Sequence, residues 1–126
     1  MSHDARWILT LAALLVVLAT ALGAFGAHGL EEVLTPARLD VFETGVRYHF
    51  YHTLGLLALG VLALLRPSRG LRLAAKLIVA GIVIFSGSLY ALTFGAPSAL
   101  GMVTPLGGLL LMLGWALFAL TAWSAR

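Results

Sequence analysis

Few residues of this chain can carry chemistry, and they cluster. They are His28, Glu43, Arg47, His49, His52, Ser86, Ser88, Tyr90 and Thr104. His49 and His52 stand three apart, so on a helix they share a face. Imidazoles at that spacing can pass protons, bind a metal or hold a haem iron. The hydroxyls can tie helices together or hold a polar ligand. Cysteine is absent, so disulfides, thiolate nucleophiles and thiolate-bound metals are excluded. A metal held by His28, His49 and His52 would lack an acid placed securely at the same depth, and no metal is expected. Haem between His28 and either of the other two is the one cofactor arrangement the pattern permits. The leading expectation carries no cofactor. The chain has no glycine-rich phosphate loop, hydrolytic triad or carboxylate dyad.

The elements that position these groups are four apolar stretches, Trp7–Leu30, Gly45–Leu65, Leu77–Phe94 and Leu106–Trp123. Each is about long enough to cross a hydrocarbon core of ~30 Å at ~1.5 Å per residue. Hydrophobic residues make up 61% of the 126-residue chain and charged residues 10%. Water cannot accommodate that much apolar surface on so small a chain, but lipid can. The expectation is an all-α integral membrane protein, a bundle of four spans at about 7–27, 45–65, 75–95 and 105–123. Arg6 before an apolar run, with Ala19-Thr20-Ala21 behind it, imitates a cleavable leader. That run is long enough to span and forms one wall of the bundle, so it is expected to stay.

Basic residues set the orientation. The loop between spans two and three holds Arg66, Arg69 and Arg72, with Lys76 just beyond and no acid. With Arg6 and Arg126 these put six basic residues on one side, against Arg38 and Arg47 on the other. Both termini are therefore expected in the cytoplasm. The net charge of +3 reflects this flanking pattern, and no nucleic acid is expected as a partner. Trp7 and Trp123 fall at the inner boundary and Tyr48 and Tyr51 towards the outer one, where amphipathic rings are favoured.

Helix ends are marked by punctuation. Glycines at Gly26–Gly29 predict a C-terminal cap for the first helix. Thr35-Pro36 predicts an N-cap and first helical residue, so the second helix begins before the membrane. Its extension, about 36–44, would lie amphipathically on the outer surface, with Leu39, Phe42 and Val46 apolar and Glu43 paired to Arg47. Arg66-Pro67 and Gly95-Ala96-Pro97 end helices two and three. Thr104-Pro105 predicts the same start for helix four as Thr35-Pro36 for helix two. Phe25-Gly26-Ala27 with Thr35-Pro36 recurs as Phe94-Gly95-Ala96 with Thr104-Pro105, at an offset of 69 residues. This raises a pseudo-repeat of two hairpins, 2+2, about an axis along the membrane normal; repeated helix-end punctuation is the simpler explanation. Two rows of small residues, Ala19-Gly23-Ala27 and Gly87-Ala91-Gly95, predict close helix contacts.

The depths implied by these spans put His28, Arg47, His49, His52, Ser86, Ser88, Tyr90 and Thr104 in the outer leaflet. The inner half is almost wholly apolar. Ionisable groups at membrane depth face the bundle and are candidate functional residues. Each also has a structural explanation: histidines and hydroxyls as interhelical hydrogen-bond groups, and Arg47 as a partner of Glu43 or a snorkelling headgroup contact.

These residues carry a family resemblance. Gly23-Ala24-Phe25-Gly26-Ala27-His28-Gly29-Leu30, Thr44-Gly45-Val46-Arg47-Tyr48-His49 with Tyr51-His52, Phe85-Ser86-Gly87-Ser88-Leu89-Tyr90 and Thr104-Pro105-Leu106-Gly107-Gly108 resemble the signature stretches of the domain-of-unknown-function 423 family. The resemblance covers essentially the whole chain. It implies a four-helix membrane fold and a bacterial inner-membrane address, in a family that also has animal relatives. It implies no activity. Its signature positions coincide with the outer-leaflet cluster.

With such short segments outside the membrane, the expected role is non-enzymatic: an accessory or assembly protein in the bilayer that packs against another membrane protein or its own copies. The alternative is a small oligomeric transporter or channel for a solute, ion or lipid. A histidine-ligated cofactor subunit stands third.

Overall fold

In the computed structural model, which describes residues 1–125, the chain forms four long helices. They are α1 (His3–Phe25), α2 (Pro36–Leu65), α3 (Arg69–Thr93) and α4 (Thr104–Ser124). A π-helical turn, Gly26–Leu30, prolongs α1, and a 3-10 turn, Ser98–Met102, precedes α4. All four are long and apolar enough to cross a membrane, as the composition predicts.

Three of the helix starts follow from side-chain caps. Ser2 Oγ accepts from the Ala5 amide, Thr35 Oγ1 from Arg38 and Ser68 Oγ from Leu71, satisfying donors that have no intrahelical partner. Helix α4 departs from the expected pattern. Val103, not Thr104, precedes it, and no side chain caps it. The Thr104 hydroxyl is turned towards Ser88 instead. The recurrent Thr-Pro punctuation therefore produces different local chemistry in the two halves. The preceding connections differ as well, π-helical in one and 3-10 in the other.

Neighbours in sequence pack antiparallel. Gly26 of the turn after α1 meets Phe42 of α2, while Gly60 of α2 meets Ile8 and Leu9. Gly45 meets Leu89 and Tyr90 of α3. Both termini and the α2–α3 connection thus share one end of the bundle, and the α1–α2 and α3–α4 connections share the other, called here the loop end. The core runs through Ile8, Leu56, Leu59, Ile78, Ile82 and Leu111. Helices α2 and α3 are its centre: 33% and 39% of their most apolar stretches are buried, against 17% for α1 and for the segment ending in α4.

The tightest seam is α3 on α4. A Cβ at Gly107 would run into the backbone of Phe85, and one at Gly114 would come within 2.7 Å of Ile78 Cγ1. Close backbone approach without side chains is how membrane helices gain packing contacts. The expected small-residue rows hold only in part. Ala19 is buried and Gly23 lies against Val46, but Ala27 is exposed. Gly87 has open space where a side chain would be. Gly95 serves a turn instead, with a φ of 99° that L side chains rarely adopt. The glycines after α1 do not form a left-handed cap: Gly26 stays helical at φ −59°, and its missing side chain leaves room for the Phe42 ring.

Candidate functional site

The loop half of the bundle holds a set of polar bonds between helices. Ser86 on α3 donates to the Gly45 carbonyl of α2 at 2.7 Å. A Cβ at Gly45 would lie 2.8 Å from the Tyr90 ring, so only glycine lets α3 come this close without displacing that ring. One turn further along α2, His49 Nδ1 and the Tyr90 hydroxyl share a hydrogen bond of 2.8 Å. Phe42 packs beside Tyr90, with ring centroids 5.5 Å apart. Ser88 donates to the Phe85 carbonyl at 2.8 Å. With the Ser88 proton used there, Thr104 is the donor in the 2.6 Å bond between the two hydroxyls.

On the other side of α2, Trp115 of α4 donates its indole N–H to His52 Nδ1 at 2.9 Å. An indole can only donate, so a neutral His52 carries its proton on Nε2. Tyr48 stacks on the His52 ring at 6.0 Å. Tyr48, His52, Phe85, Met112 and Trp115 border an open apolar groove of about 450 Å³.

The expected cluster therefore comes together only in part. His49, Ser86 and Tyr90 join α2 to α3; Ser88 and Thr104 join α3 to α4; His52 reaches α4 separately. The two histidines do not share a target, because a three-residue step leaves their side chains about 60° apart, enough to reach different helices. His28 is exposed on the π-helical turn and shares no hydrogen bond with either among the described residues. Glu43 and Arg47 do not pair: the salt bridge found among the described residues is Arg72 to Asp4 at 3.2 Å. Both instead border a shallow hollow beside Gly26 and Phe42. No group of three His, Asp or Glu side chains among the described residues is placed to hold a metal.

Among the described residues, two buried side-chain atoms make no hydrogen bond, His49 Nε2 and Thr53 Oγ1. They are one turn apart on the inner face of α2. Trp115 and Thr53 were not among the residues singled out from the sequence. Trp115 had a usable signal: an indole within an apolar span needs an acceptor for its N–H, and side-chain acceptors are scarce in this chain.

Comparison with known proteins agrees with this architecture. The family model described as "Protein of unknown function (DUF423)" matches residues 22–108, the stretch that contains all the cross-helix bonds of the loop half except that of Trp115. The UPF0382 membrane protein YwdK of Bacillus subtilis is 46% identical over 113 residues, covering 89% of this chain and 92% of its own. A UPF0382 membrane protein of Haemophilus influenzae is 44% identical over 107 residues, covering 85% and 86%. The UPF0382 inner membrane protein YgdD of Escherichia coli is 37% identical over 117 residues, covering 93% and 89%. No solved structure matches the chain. A family match over most of the length, relatives of nearly equal size and four spanning helices lead to one conclusion: the chain belongs to the DUF423 family of small bacterial membrane proteins.

Proposed function

We propose that this chain is a non-enzymatic accessory protein of the bacterial inner membrane, with both termini in the cytoplasm, which acts by packing against another membrane protein. The observation that carries this reading is how the loop-half polar groups are used. Ser86, Ser88, Tyr90, Thr104 and Trp115 are all engaged in bonds that hold the bundle together. A set of groups used this way stiffens a scaffold. The outer surface of α4 offers the contact, with Leu109, Met112 and Leu113 exposed. A photoreactive residue at Met112, activated in native membranes, should give a discrete protein adduct. Adducts with lipid alone, at Met112 and at Leu109, would overturn the reading.

A small-transporter reading has one observation in its favour, the adjacent unpartnered atoms of His49 and Thr53. They would make a polar step through an apolar core. It requires that solute flux in proteoliposomes fall when His49 is replaced by Ala, and unchanged flux removes it.

A further inference from the structure

Helices α1 and α3 flank a seam over α2 that has a charged mouth and mainly apolar walls. At the terminal end, His3, Asp4, Trp7, Arg72 and Lys76 surround an open cavity of about 590 Å³. Asp4 is already engaged: Arg72 binds one of its oxygens at 3.2 Å and the Trp7 indole donates to the other at 3.4 Å. Lys76 is exposed at this mouth, and no carboxylate among the described residues lies within salt-bridge distance of it. It stands one turn deeper than Arg72 on the same face of α3. With one acid against two fixed cations, the mouth has an unbalanced positive charge beside hydrocarbon, where an uncompensated cation is costly.

The same two helix faces continue into the membrane. From Asp4 and Trp7, steps of three and four residues along α1 lead to Leu11, Leu15 and Leu18. From Lys76, they lead along α3 to Val79, Val83 and Gly87. Leu15, Leu18, Val83 and Gly87 border a crevice of about 190 Å³, with His49, Ser86 and Tyr90 behind them; the Ser86 and Tyr90 hydroxyls are engaged in bonds to α2. Gly87 leaves that crevice open, since a Cβ there would meet nothing within 4 Å. Lys76 and Gly87 are eleven residues apart, about 16 Å along the helix, which is within the reach of an acyl chain.

We propose that the α1–α3 seam binds one anionic phospholipid, its phosphate at Arg72 and Lys76 and an acyl chain running towards Gly87. Charge complementarity selects the anionic headgroup, and the crevice distinguishes a lipid from free phosphate. The site is independent of which leaflet the terminal end faces.

Native mass spectrometry of the full chain, released from nanodiscs containing equal amounts of phosphatidylglycerol and phosphatidylcholine, tests this. The expected result is a single retained lipid, predominantly phosphatidylglycerol. Lys76→Gln should reduce that preference roughly fivefold, the scale of one basic residue near a membrane surface. Lys76 is exposed, so the variant should fold. Gly87→Leu fills the crevice and should lower retention of the whole lipid while leaving the protein folded. Equal retention of the two lipids by the unaltered chain overturns the proposal, as does a preference that survives Lys76→Gln. Displacement of the lipid by millimolar inorganic phosphate, with Gly87→Leu silent, would show a site for free phosphate and overturn the lipid assignment.

Discussion

Tyr90 and His49 share a hydrogen bond of 2.8 Å between α2 and α3. His49 is 2% exposed and has one nitrogen bonded and one unpartnered. Tyr90→Phe keeps the ring packed on Phe42 but leaves both imidazole nitrogens without a side-chain partner. Interhelical hydrogen bonds in membranes contribute about 0.6 kcal/mol on average, with a maximum near 1.7. The upper part of that range is expected here, because the alternative for His49 is hydrocarbon. Ser124→Ala, which removes only the exposed hydroxyl's contacts with the Leu120 and Thr121 carbonyls within α4, should change stability by less than about 0.5 kcal/mol. Reversible unfolding in mixed micelles compares the two variants, and equal midpoints would show that the His49–Tyr90 bond is energetically idle.

At the scale of the helix, glycine placement decides which pairs come close. Gly107 and Gly108 are adjacent and chemically identical, yet they differ in what faces them. A Cβ on Gly107 collides with the Phe85 backbone, whereas one on Gly108 makes ordinary contact with the Phe85 ring at 3.7 Å. Gly107→Ala must push α3 and α4 apart and should cost about 1–3 kcal/mol, as overpacking does. Gly108→Ala should be nearly neutral. Thermal midpoints in detergent distinguish them; similar losses for both would mean the seam is looser than this spacing implies. The same contrast shows what the sequence could reveal. The four spans, and the ends at Pro36, Pro67 and Pro97, are local properties of composition and backbone chemistry, so they were readable. Which glycine faces a neighbour depends on how helices rotate against one another. For that reason the Gly87-Ala91-Gly95 row looked like a contact but is not one, and Trp115 went unnoticed as the partner of His52. His49, Ser86, Tyr90, Ser88 and Thr104 were identifiable as polar residues at membrane depth, whereas their pairing needed the fold. His28 and the Glu43–Arg47 pair failed because i,i+4 spacing and sequence proximity permit a contact without enforcing it.

For the whole molecule, antiparallel packing puts Ser2, Ser68 and Ser124 at one end and Val33 and Ser98 at the other. The terminal end carries the basic residues Arg66, Arg69, Arg72 and Lys76, and translocation of such a cluster across the inner membrane is disfavoured. This charge bias has one expected orientation, and the absence of native cysteine makes it directly measurable. Single cysteines at Ser68 or Ser124 should resist an impermeant maleimide added outside intact spheroplasts and react once the cells are lysed. Cysteines at Val33 or Ser98 should react before lysis. Dual labelling at both ends would indicate a mixed population, and the reverse pattern would place the termini outside. Replacing Arg69, Arg72 and Lys76 together with glutamine should shift the wild-type pattern towards mixed labelling, because the remaining bias rests on Arg6, Arg66 and Arg126. The Lys76→Gln variant alone should keep the original orientation. A loss of lipid preference in that variant then reports on the mouth of the seam and not on an inverted protein.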